Sequence, residues 1–213
     1  MKQLINFSYK KSKPLFSDFT FEIADKQITF LCGHNGAGKT TLLKLLSGIL
    51  PSKSKSEDTW YISSTGGLMF HFSLNEHLSL LNVKTTFEDN DLWRLAYTLF
   101  EAKNFEDKKI SNLSSGQVMM ASIIVALASK KSFLLLDEPF APLDPTNAKH
   151  LQTILQELKK KDITVLVTSH DLFMTKETAD NVLFLKNGKI VFSKKVDNDL
   201  SVDTLFKAYN ELC

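Results

Sequence analysis

A glycine-rich loop between a predicted strand and a predicted helix constrains the fold of this chain more than any other feature. Residues 33–41 read GHNGAGKTT and fit the pattern G-x-x-x-x-G-K-[ST]. Residues 27–32 (QITFLC) predict a buried strand before the loop, and residues 41–47 predict a helix that ends at Gly48. Glycines allow successive backbone N–H groups to surround an anion, and the helix adds the positive end of its dipole. The loop therefore predicts a phosphate-binding site on an α/β sheet.

The same loop contains the side chains that a bound triphosphate would need. Lys39 is expected to neutralise the β- and γ-phosphates, and the Thr40 hydroxyl is expected to bind Mg²⁺. A triphosphate bound together with Mg²⁺ is therefore the predicted ligand of this loop. The predicted nucleotide-binding residues of the loop are Gly33, Asn35, Gly36, Ala37, Gly38, Lys39, Thr40 and Thr41.

A second feature is a short apolar run that ends in two carboxylates. Residues 133–136 (FLLL) predict a buried parallel strand, and Asp137 and Glu138 follow directly. Ligands bind at the carboxyl ends of the strands in open α/β sheets, where these acids would lie. Asp137 is expected to hold Mg²⁺ through water, and Glu138 to orient the attacking water. Two adjacent acids alone would equally mark a polar strand end, so this interpretation depends on the glycine loop.

The rest of the chain alternates strand-like and helix-like segments. Residues 146–161 predict an amphipathic helix, and residues 163–168 (ITVLVT) predict another buried strand. Asn187-Gly188 predicts a tight hairpin turn between strands at 182–185 and 190–192. This alternation predicts an α/β fold with a parallel sheet and helices on its faces.

The segment between these halves differs in character. Residues 66–129 are helix-rich and contain no convincing buried strand. We therefore expect one domain over residues 1–213. Its catalytic core would comprise about residues 1–65 and 130–213, and a helical subdomain would be inserted at about 66–129.

Charge and cysteine content exclude several other classes of protein. The 26 basic and 24 acidic residues give a net charge of +2, which offers no electrostatic basis for nucleic-acid binding. No run approaches the roughly 18 apolar residues of a membrane span. Cys32 and Cys213 are the two cysteines, so a disulfide scaffold is excluded and a reducing cytoplasm is expected. Cys32 is expected to be a small buried hydrophobe, although a thiol beside the loop would be a target for alkylation.

A third feature makes the assignment more specific. Residues 113–117 (LSSGQ) open a helical run to Ala128, and offer an anion a hydroxyl, N–H groups and a dipole. Alone, they would equally be a plain helix cap. As a set, the three features resemble the ATP-binding subunit of an ABC transporter, a phosphate-loop NTPase with a mixed sheet, an antiparallel β part and an inserted helical subdomain. Residues 33–41 resemble its Walker A loop, 113–117 its signature motif, and 134–138 its Walker B motif with the catalytic glutamate.

The resemblance extends over about residues 3–195 and implies further site residues. Residues 141–144 (APLD) are similar to the D-loop, in which Asp144 would bridge two sites across a dimer interface. Residues 168–171 (TSHD) are similar to the switch-histidine loop, in which His170 would hold Glu138 and the γ-phosphate in register. Tyr9 would stack on the adenine, with an ordinary strand aromatic as the alternative. Catalytic roles are thus expected for Lys39, Glu138 and His170.

The resemblance also implies partners. Two ATP-binding subunits, identical or different, would close head to tail on two ATP molecules. Ser114, Gly116 and Gln117 of one copy would then contact the γ-phosphate held by the other. A transmembrane permease on a separate chain would move the cargo. The protein would lie in the cytoplasm on the inner face of the membrane, with no nucleic-acid partner.

Two positions depart from the family pattern. The family usually has a glutamine after the strand at 60–62, and here that position falls at Ser64 or Thr65, both of which are shorter. The signature helix usually opens with basic residues, but here it opens with residues 118–120 (VMM). Phe70 and Phe72, near the first departure, would line a groove for a helix of the membrane subunit or would pack in the core.

Two other functions are compatible with parts of the sequence. A non-transport ABC ATPase, acting as an assembly or scaffold factor, is favoured slightly by Ser64 and Thr65. It is disfavoured because no second ATPase domain or long coiled-coil insertion occurs. A phosphate-loop kinase would need a substrate lid and usually two arginines, whereas Arg94 is the only arginine and lies in a predicted helix over 92–102. The short chain looks slightly more like the small exporter ATPases of this family, which implies export rather than import.

Overall fold

The computed structural model describes residues 2–7, 15–51, 58–82 and 92–213. Tyr9 lies outside the described residues, so its contact with adenine stays a prediction. In chain order, the strands and helices are β1 (Lys2–Phe7), β2 (Phe16–Glu22), β3 (Ile28–Cys32), α1 (Lys39–Leu46), β4 (Thr59–Ile62), α2 (Leu74–Leu80), α3 (Leu92–Leu99), α4 (Ser115–Ala128), β5 (Phe133–Asp137), α5 (Pro145–Lys160), β6 (Thr164–Ser169), α6 (Leu172–Thr178), β7 (Asn181–Lys186), β8 (Lys189–Lys195) and α7 (Val202–Leu212).

A six-stranded sheet forms the centre of the fold, in the order β4-β5-β6-β3-β7-β8. The strands from β4 to β7 in this order are parallel to their neighbours, and β8 is antiparallel to β7. β1 and β2 form a separate antiparallel pair. The predicted α/β fold, with a mixed sheet and an antiparallel β part, is therefore confirmed.

Alternation along the strands divides the apolar core into two layers. In β5, Phe133 and Leu135 face a layer that includes Leu42 of α1, whereas Leu134 and Leu136 face a layer built largely from α3, α4 and α5. Successive side chains of a strand point to opposite faces of the sheet. A central strand covered on both faces must therefore be apolar at every position, which is why the unbroken run FLLL forms β5.

Helix α1 begins at Lys39 because the loop turns sharply just before it. Gly38 is the N-cap residue and has a φ of 108°, in the left-handed region that glycine adopts without steric cost. The helix ends at Leu46, and Gly48, with a φ of 78°, reverses the chain after it. Lys39 and Thr40 thus lie in the first turn of the helix, at the positive end of its dipole.

Helix α3 is shorter than the sequence predicted. It ends at Leu99 rather than at residue 102, because Glu101 adopts a left-handed backbone with a φ of 49°. A 3-10 turn over Ala102–Asn104 follows.

Between β4 and β5, the described residues form α2, α3 and α4 and no further strand. α4 is buried around most of its circumference, and Ile123 and Ile124 share an apolar layer with Ile62 of β4. The helical segment therefore shares a core with the sheet, and its separation as a subdomain stays a prediction. No helix among the described residues combines the length and apolarity that crossing a membrane requires.

Candidate active site

The carboxyl ends of β3, β5 and β6 meet at one edge of the sheet. β6 lies between the other two, and its register pairs Thr168 with Asp137 of β5 and Ser169 with Cys32 of β3. The glycine loop follows β3, Glu138 follows β5 and His170 follows β6. Three predicted motifs, separated by many residues in the chain, are therefore neighbours in the fold.

The glycine loop wraps around the Lys39 ammonium group. Lys39 is only 7% exposed, and its Nζ donates to the Gly33 carbonyl at 2.6 Å and to the His34 carbonyl at 3.4 Å. A Cβ at Gly33 would lie 2.3 Å from the carbonyl oxygen of Leu185 in β7, so only glycine permits this close packing. The loop therefore holds a buried cation in the first turn of α1, at the positive end of the helix dipole, which suits a polyanionic ligand.

Asp137 is a buried carboxylate surrounded by hydroxyl groups. It is 2% exposed, and Thr168 donates to its Oδ1 at 2.7 Å. Thr40 donates to its Oδ2 at 2.8 Å, and Tyr61 donates to the same oxygen at 3.2 Å. Burial, followed by the negative charge of Asp137, raises the pKa of the Tyr61 hydroxyl, so Tyr61 remains a hydrogen-bond donor at neutral pH.

The residues at this point fit Mg²⁺. Asp137 has no cationic side chain within ion-pair distance among the described residues, and a buried carboxylate is unfavourable without a compensating cation. The Thr40 hydroxyl and the Asp137 carboxylate supply the oxygen ligands that Mg²⁺ prefers. No group of three or more His, Cys, Asp or Glu side chains in the described part of the chain would hold a metal alone. Mg²⁺ would therefore need phosphate oxygens and water to complete its ligands.

Glu138 has an unusual backbone conformation that directs it toward the other candidate residues. Its φ is 51°, in the left-handed region, and its N–H donates to the Thr168 hydroxyl at 2.9 Å. Its Oε1 lies 3.7 Å from Lys39 Nζ, and its Oε2 lies 3.0 Å from His170 Nδ1. Strained non-glycine residues often occur at functional sites. The structure thus brings Lys39, Glu138 and His170 together, as the resemblance implied.

The signature residues form the N-terminal cap of α4. The Ser114 hydroxyl accepts from the Gln117 N–H at 3.2 Å, and the Gln117 side chain accepts from the Ser114 N–H at 3.1 Å. A Cβ at Gly116 would lie 2.9 Å from the Pro142 carbonyl, so the signature loop packs closely on the D-loop. No hydrogen bond or ion pair between described residues connects this cap to Lys39. Ser114 is exposed, and its cap is available to a ligand held elsewhere.

Asp144 caps helix α5 in this structure. Its Oδ1 accepts from the Thr146 and Asn147 N–H groups at 2.9 and 3.0 Å, and its Oδ2 accepts from the Asn147 side chain at 2.6 Å. The Asn147 backbone and side-chain donors lower the pKa of the Asp144 carboxyl. Its bridging of two sites stays a prediction.

The thiol beside the glycine loop is inaccessible. Cys32 is fully buried, and burial raises its pKa to about 12. The neutral thiol contacts the Thr175 hydroxyl at 3.4 Å. Of the two interpretations of Cys32, the structure supports the small buried hydrophobe.

Phe70 and Phe72, which follow Ser64 and Thr65 in the chain, have different environments. Phe70 is 65% exposed, whereas Phe72 is half-buried with its ring against His77. Ser64 and Thr65 are both exposed, and the Thr65 hydroxyl lies 3.2 Å from the Ser63 hydroxyl. Phe70 is thus available to a partner, and Phe72 belongs to the local packing.

Sequence reasoning missed Tyr61, which completes the hydroxyl contacts of Asp137. Tyr61 lies in β4, and its pairing with Leu135 of β5 brings its side chain to the carboxylate. A tyrosine in a predicted strand is ordinary, so only the neighbouring position of β4 and β5 reveals the contact. The role of Thr168 was missed for the same reason, although its loop was recognised.

The fold and the site together define a class of protein. A glycine loop joins a central parallel strand to a helix, and an acidic strand end lies two strands away with a buried carboxylate and an adjacent glutamate. These are the parts of a phosphate-loop nucleoside triphosphatase.

Comparison with known proteins is more specific. The family model described as "ABC transporter" matches residues 16–141. The chain is 32% identical over 238 residues to the energy-coupling factor transporter ATP-binding protein EcfA2 of Streptococcus pneumoniae, with 95% of this chain and 83% of the relative covered. It is 31% identical over 202 residues to an uncharacterised ABC transporter ATP-binding protein of Methanocaldococcus jannaschii, with 89% and 75% covered. A solved structure of an ATP-binding subunit of an ABC transporter superposes with a TM-score of 0.83 at 22% identity, covering 98% of both chains.

This chain therefore belongs to the ATP-binding proteins of the ABC transporter family. It binds and hydrolyses ATP, and the hydrolysis powers transport. The predicted transport ATPase is confirmed, and the alternatives of an assembly factor and of a kinase are not supported.

Proposed function

We propose that the chain works as one half of a dimer that closes on two molecules of ATP below a transmembrane permease. In this proposal Thr40 and Asp137 hold Mg²⁺, and Glu138 orients the attacking water. The observation that carries the proposal is the position of Glu138 between Lys39 and His170, at 3.7 and 3.0 Å.

Glu138 is suited to act on water. A carboxylate oxygen accepts a hydrogen bond from a water molecule and so directs the water's lone pair at an electrophile. His170 fixes Oε2 by hydrogen bonding, and the Thr168 hydroxyl fixes the backbone of Glu138. The orientation of the carboxylate is therefore set before the substrate arrives, which lowers the entropic cost of the reaction.

Lys39 supplies positive charge where the reaction develops negative charge. Its burial reduces screening by water, so its attraction for phosphate oxygens is stronger than that of an exposed lysine. The loop carbonyls that now accept from Nζ also hold the side chain in place. When bound, Mg²⁺ would neutralise further charge on the β- and γ-phosphates.

The second copy would complete each site. Ser114 is exposed at a helix N-terminus, and Gly116 and Gln117 lie in the same turn. Such a turn presents N–H groups and a positive dipole to an anion. Within one chain, the side chains of this turn cap helix α4, and no hydrogen bond or ion pair between described residues joins them to Lys39, Glu138 or His170. A head-to-tail partner would bring the two together and would replace the arginine that many phosphoryl-transfer sites use.

A separate transmembrane permease is the proposed partner, which would place the chain on the cytoplasmic face of the membrane. Met69 and Phe70 are 49% and 65% exposed, and follow the turn where the family usually has its glutamine. Adjacent exposed apolar side chains of this size suit contact with another protein. The coupling of ATP hydrolysis in this chain to transport by the permease would then depend on this contact.

Complementation between two inactive variants tests the shared sites. Lys39→Ala removes the phosphate-binding cation, and Ser114→Arg blocks the signature cap. Each alone should abolish hydrolysis, and Lys39→Ala should also weaken binding of a fluorescent ATP analogue. An equal mixture should form heterodimers with one intact site, and recover about a quarter of the wild-type rate if sites act independently.

The matched control mixes each variant with the Lys39→Ala, Ser114→Arg double variant, which leaves no intact site in any dimer. Activity in the first mixture alone supports sites built from two chains. If the two single variants give no recovery although they form mixed dimers, the head-to-tail arrangement is wrong. Purification of the tagged chain from detergent-solubilised membranes should yield a polytopic protein, and its consistent absence would contradict the permease partner.

A further inference from the structure

We propose that Tyr61 is a positioning residue for the metal site, and that its hydroxyl fixes the orientation of the Asp137 carboxylate. This inference rests on the proposed Mg²⁺ site at Thr40 and Asp137. In this proposal β4 contacts the metal site through Tyr61, which lies inside the strand. The family's usual glutamine would instead lie after the strand, at Ser64 or Thr65.

The register of the sheet brings Tyr61 to this carboxylate. β4 is an edge strand beside β5, with Tyr61 opposite Leu135 and Ile62 opposite Leu136. Asp137 is the next residue of β5, and the length of the tyrosine side chain covers the remaining distance. The Tyr61 hydroxyl lies 3.2 Å from Oδ2. The rest of the side chain packs against the apolar layer that contains α1, which holds the ring in place.

Three hydroxyl groups donate hydrogen bonds to the two oxygens of the Asp137 carboxylate. Thr168 donates to Oδ1 and Tyr61 donates to Oδ2, while the Thr40 hydroxyl lies within hydrogen-bond distance of both oxygens, 3.1 Å from Oδ1 and 2.8 Å from Oδ2. A carboxylate has about four lone-pair sites, so three donors leave about one for a water molecule of a bound metal. Thr40 is itself an expected metal ligand. Tyr61 and Thr168 are therefore the two contacts, one on each oxygen, that can hold Asp137 independently of the metal.

The residues after β4 are engaged elsewhere. The chain makes a tight turn in which the Gly66 N–H donates to the Ser63 carbonyl at 2.8 Å. A Cβ at Gly66 would lie 2.6 Å from side-chain atoms of Val118 and Ser122, so the turn is pressed against α4. The Thr65 hydroxyl lies 3.2 Å from that of Ser63, and Ser64 is exposed. Among the described residues of β4 and of the turn after it, Tyr61 is the side chain that makes a hydrogen bond to Asp137.

Binding of a nucleotide with and without metal tests the role of Tyr61. The probe is a fluorescent, non-hydrolysable ATP analogue, titrated in EDTA and then with increasing MgCl₂. In Tyr61→Phe we expect unchanged affinity in EDTA. The Mg²⁺ concentration for half-maximal tightening should rise about tenfold, because partners that orient a metal ligand commonly contribute this much to metal affinity.

Tyr97→Phe is the matched control. The Tyr97 hydroxyl also donates to a carboxylate, that of Glu106, but in α3 and away from the metal site. It should not change the Mg²⁺ requirement. If Tyr61→Phe leaves the Mg²⁺ requirement unchanged, or weakens binding equally in EDTA and in Mg²⁺, the positioning role is wrong. If Mg²⁺ fails to tighten binding to the wild-type protein, the proposed metal site itself is wrong, which is a distinct result.

Discussion

The Thr168 hydroxyl donates to Asp137 at 2.7 Å and accepts from the N–H of the next residue, Glu138, at 2.9 Å. Thr168 is completely buried at the end of β6, so water cannot replace either hydrogen bond. One hydroxyl therefore connects the proposed metal-binding acid to the proposed catalytic acid.

Thr168→Val should affect both stability and activity. Valine has nearly the same shape but leaves the Glu138 N–H unpaired and removes a donor from a buried carboxylate. We expect a loss of about 1–3 kcal/mol in the free energy of unfolding. Hydrolysis should also fall by about tenfold to a hundredfold, because the backbone of Glu138 loses its anchor. Urea unfolding and steady-state phosphate release measure the two effects.

Thr29→Val provides the control on the neighbouring strand β3. Thr29 is also buried, but its hydroxyl has no hydrogen-bond partner among the described residues. Its replacement should be neutral or stabilise the protein by up to about 1 kcal/mol, because an unpaired hydroxyl is removed from the core. Equal losses in the free energy of unfolding in the two variants would show that the Thr168 hydrogen bonds do not stabilise the folded protein.

Glu138→Gln should separate ATP binding from hydrolysis. The amide is similar in size and keeps a contact with His170, but it is a weaker acceptor for the attacking water. We expect hydrolysis to be abolished and ATP to remain bound, with a stable dimer seen by size-exclusion chromatography in ATP and Mg²⁺. A variant that hydrolyses ATP at the wild-type rate would contradict the role of Glu138.

Gly188→Ala should disturb the glycine loop from a distance. Gly188 has a φ of 71°, and a Cβ there would lie 1.7 Å from the Leu15 carbonyl oxygen. Its N–H also approaches the carbonyl of Ala37 in the loop, at 3.4 Å. We expect a loss of more than about 2 kcal/mol in the free energy of unfolding, from backbone strain together with the displaced contact. Binding of a fluorescent ATP analogue should also weaken.

Gly67→Ala is the control for Gly188→Ala, because it introduces backbone strain without a steric clash. Gly67 has a φ of 87°, but the nearest atom to a Cβ would be the Ser63 hydroxyl at 3.5 Å, an ordinary contact. Its cost should be limited to about 1 kcal/mol of backbone strain. Similar losses in both variants would mean that contact with Leu15 does not hold the hairpin.

Cys32 should be protected from alkylation at neutral and mildly alkaline pH. Burial raises the pKa of its thiol to about 12, and the thiol is the less reactive protonated form below that value. Iodoacetamide at pH 8 should label Cys213 in the folded protein, and should label Cys32 only after unfolding. Mass spectrometry of the digested protein distinguishes the two sites.

The same shift predicts how stability depends on pH. The unfolded thiol ionises near pH 9.0 and the folded thiol only near 12, so the folded state binds the proton more tightly between these values. This contribution is complete below pH 9 and is lost as the pH rises toward 12. Relative to Cys32→Ala, the wild-type free energy of unfolding should fall by roughly 1 kcal/mol between pH 8 and pH 10. A constant difference over this interval would refute the assigned pKa.

Local signals in the sequence were sufficient for the central strands and for the glycine loop. The run FLLL at 133–136 and the strand before Gly33 were predicted to within a residue, because a strand buried on both faces must be apolar throughout. The end of α3 was predicted too late. Its end depends on the left-handed backbone at Glu101, which the sequence does not mark with a glycine.

The amino-acid sequence alone determined the identity of the phosphate loop, the pair of acids after β5 and the hairpin at Asn187-Gly188, since each depends on residues adjacent in the chain. Only the tertiary structure decided which polar groups share one carboxylate. Tyr61, Thr40 and Thr168 reach Asp137 from three different elements. Their convergence follows from strand order and register, and these are set by packing of the whole core rather than by any local pattern.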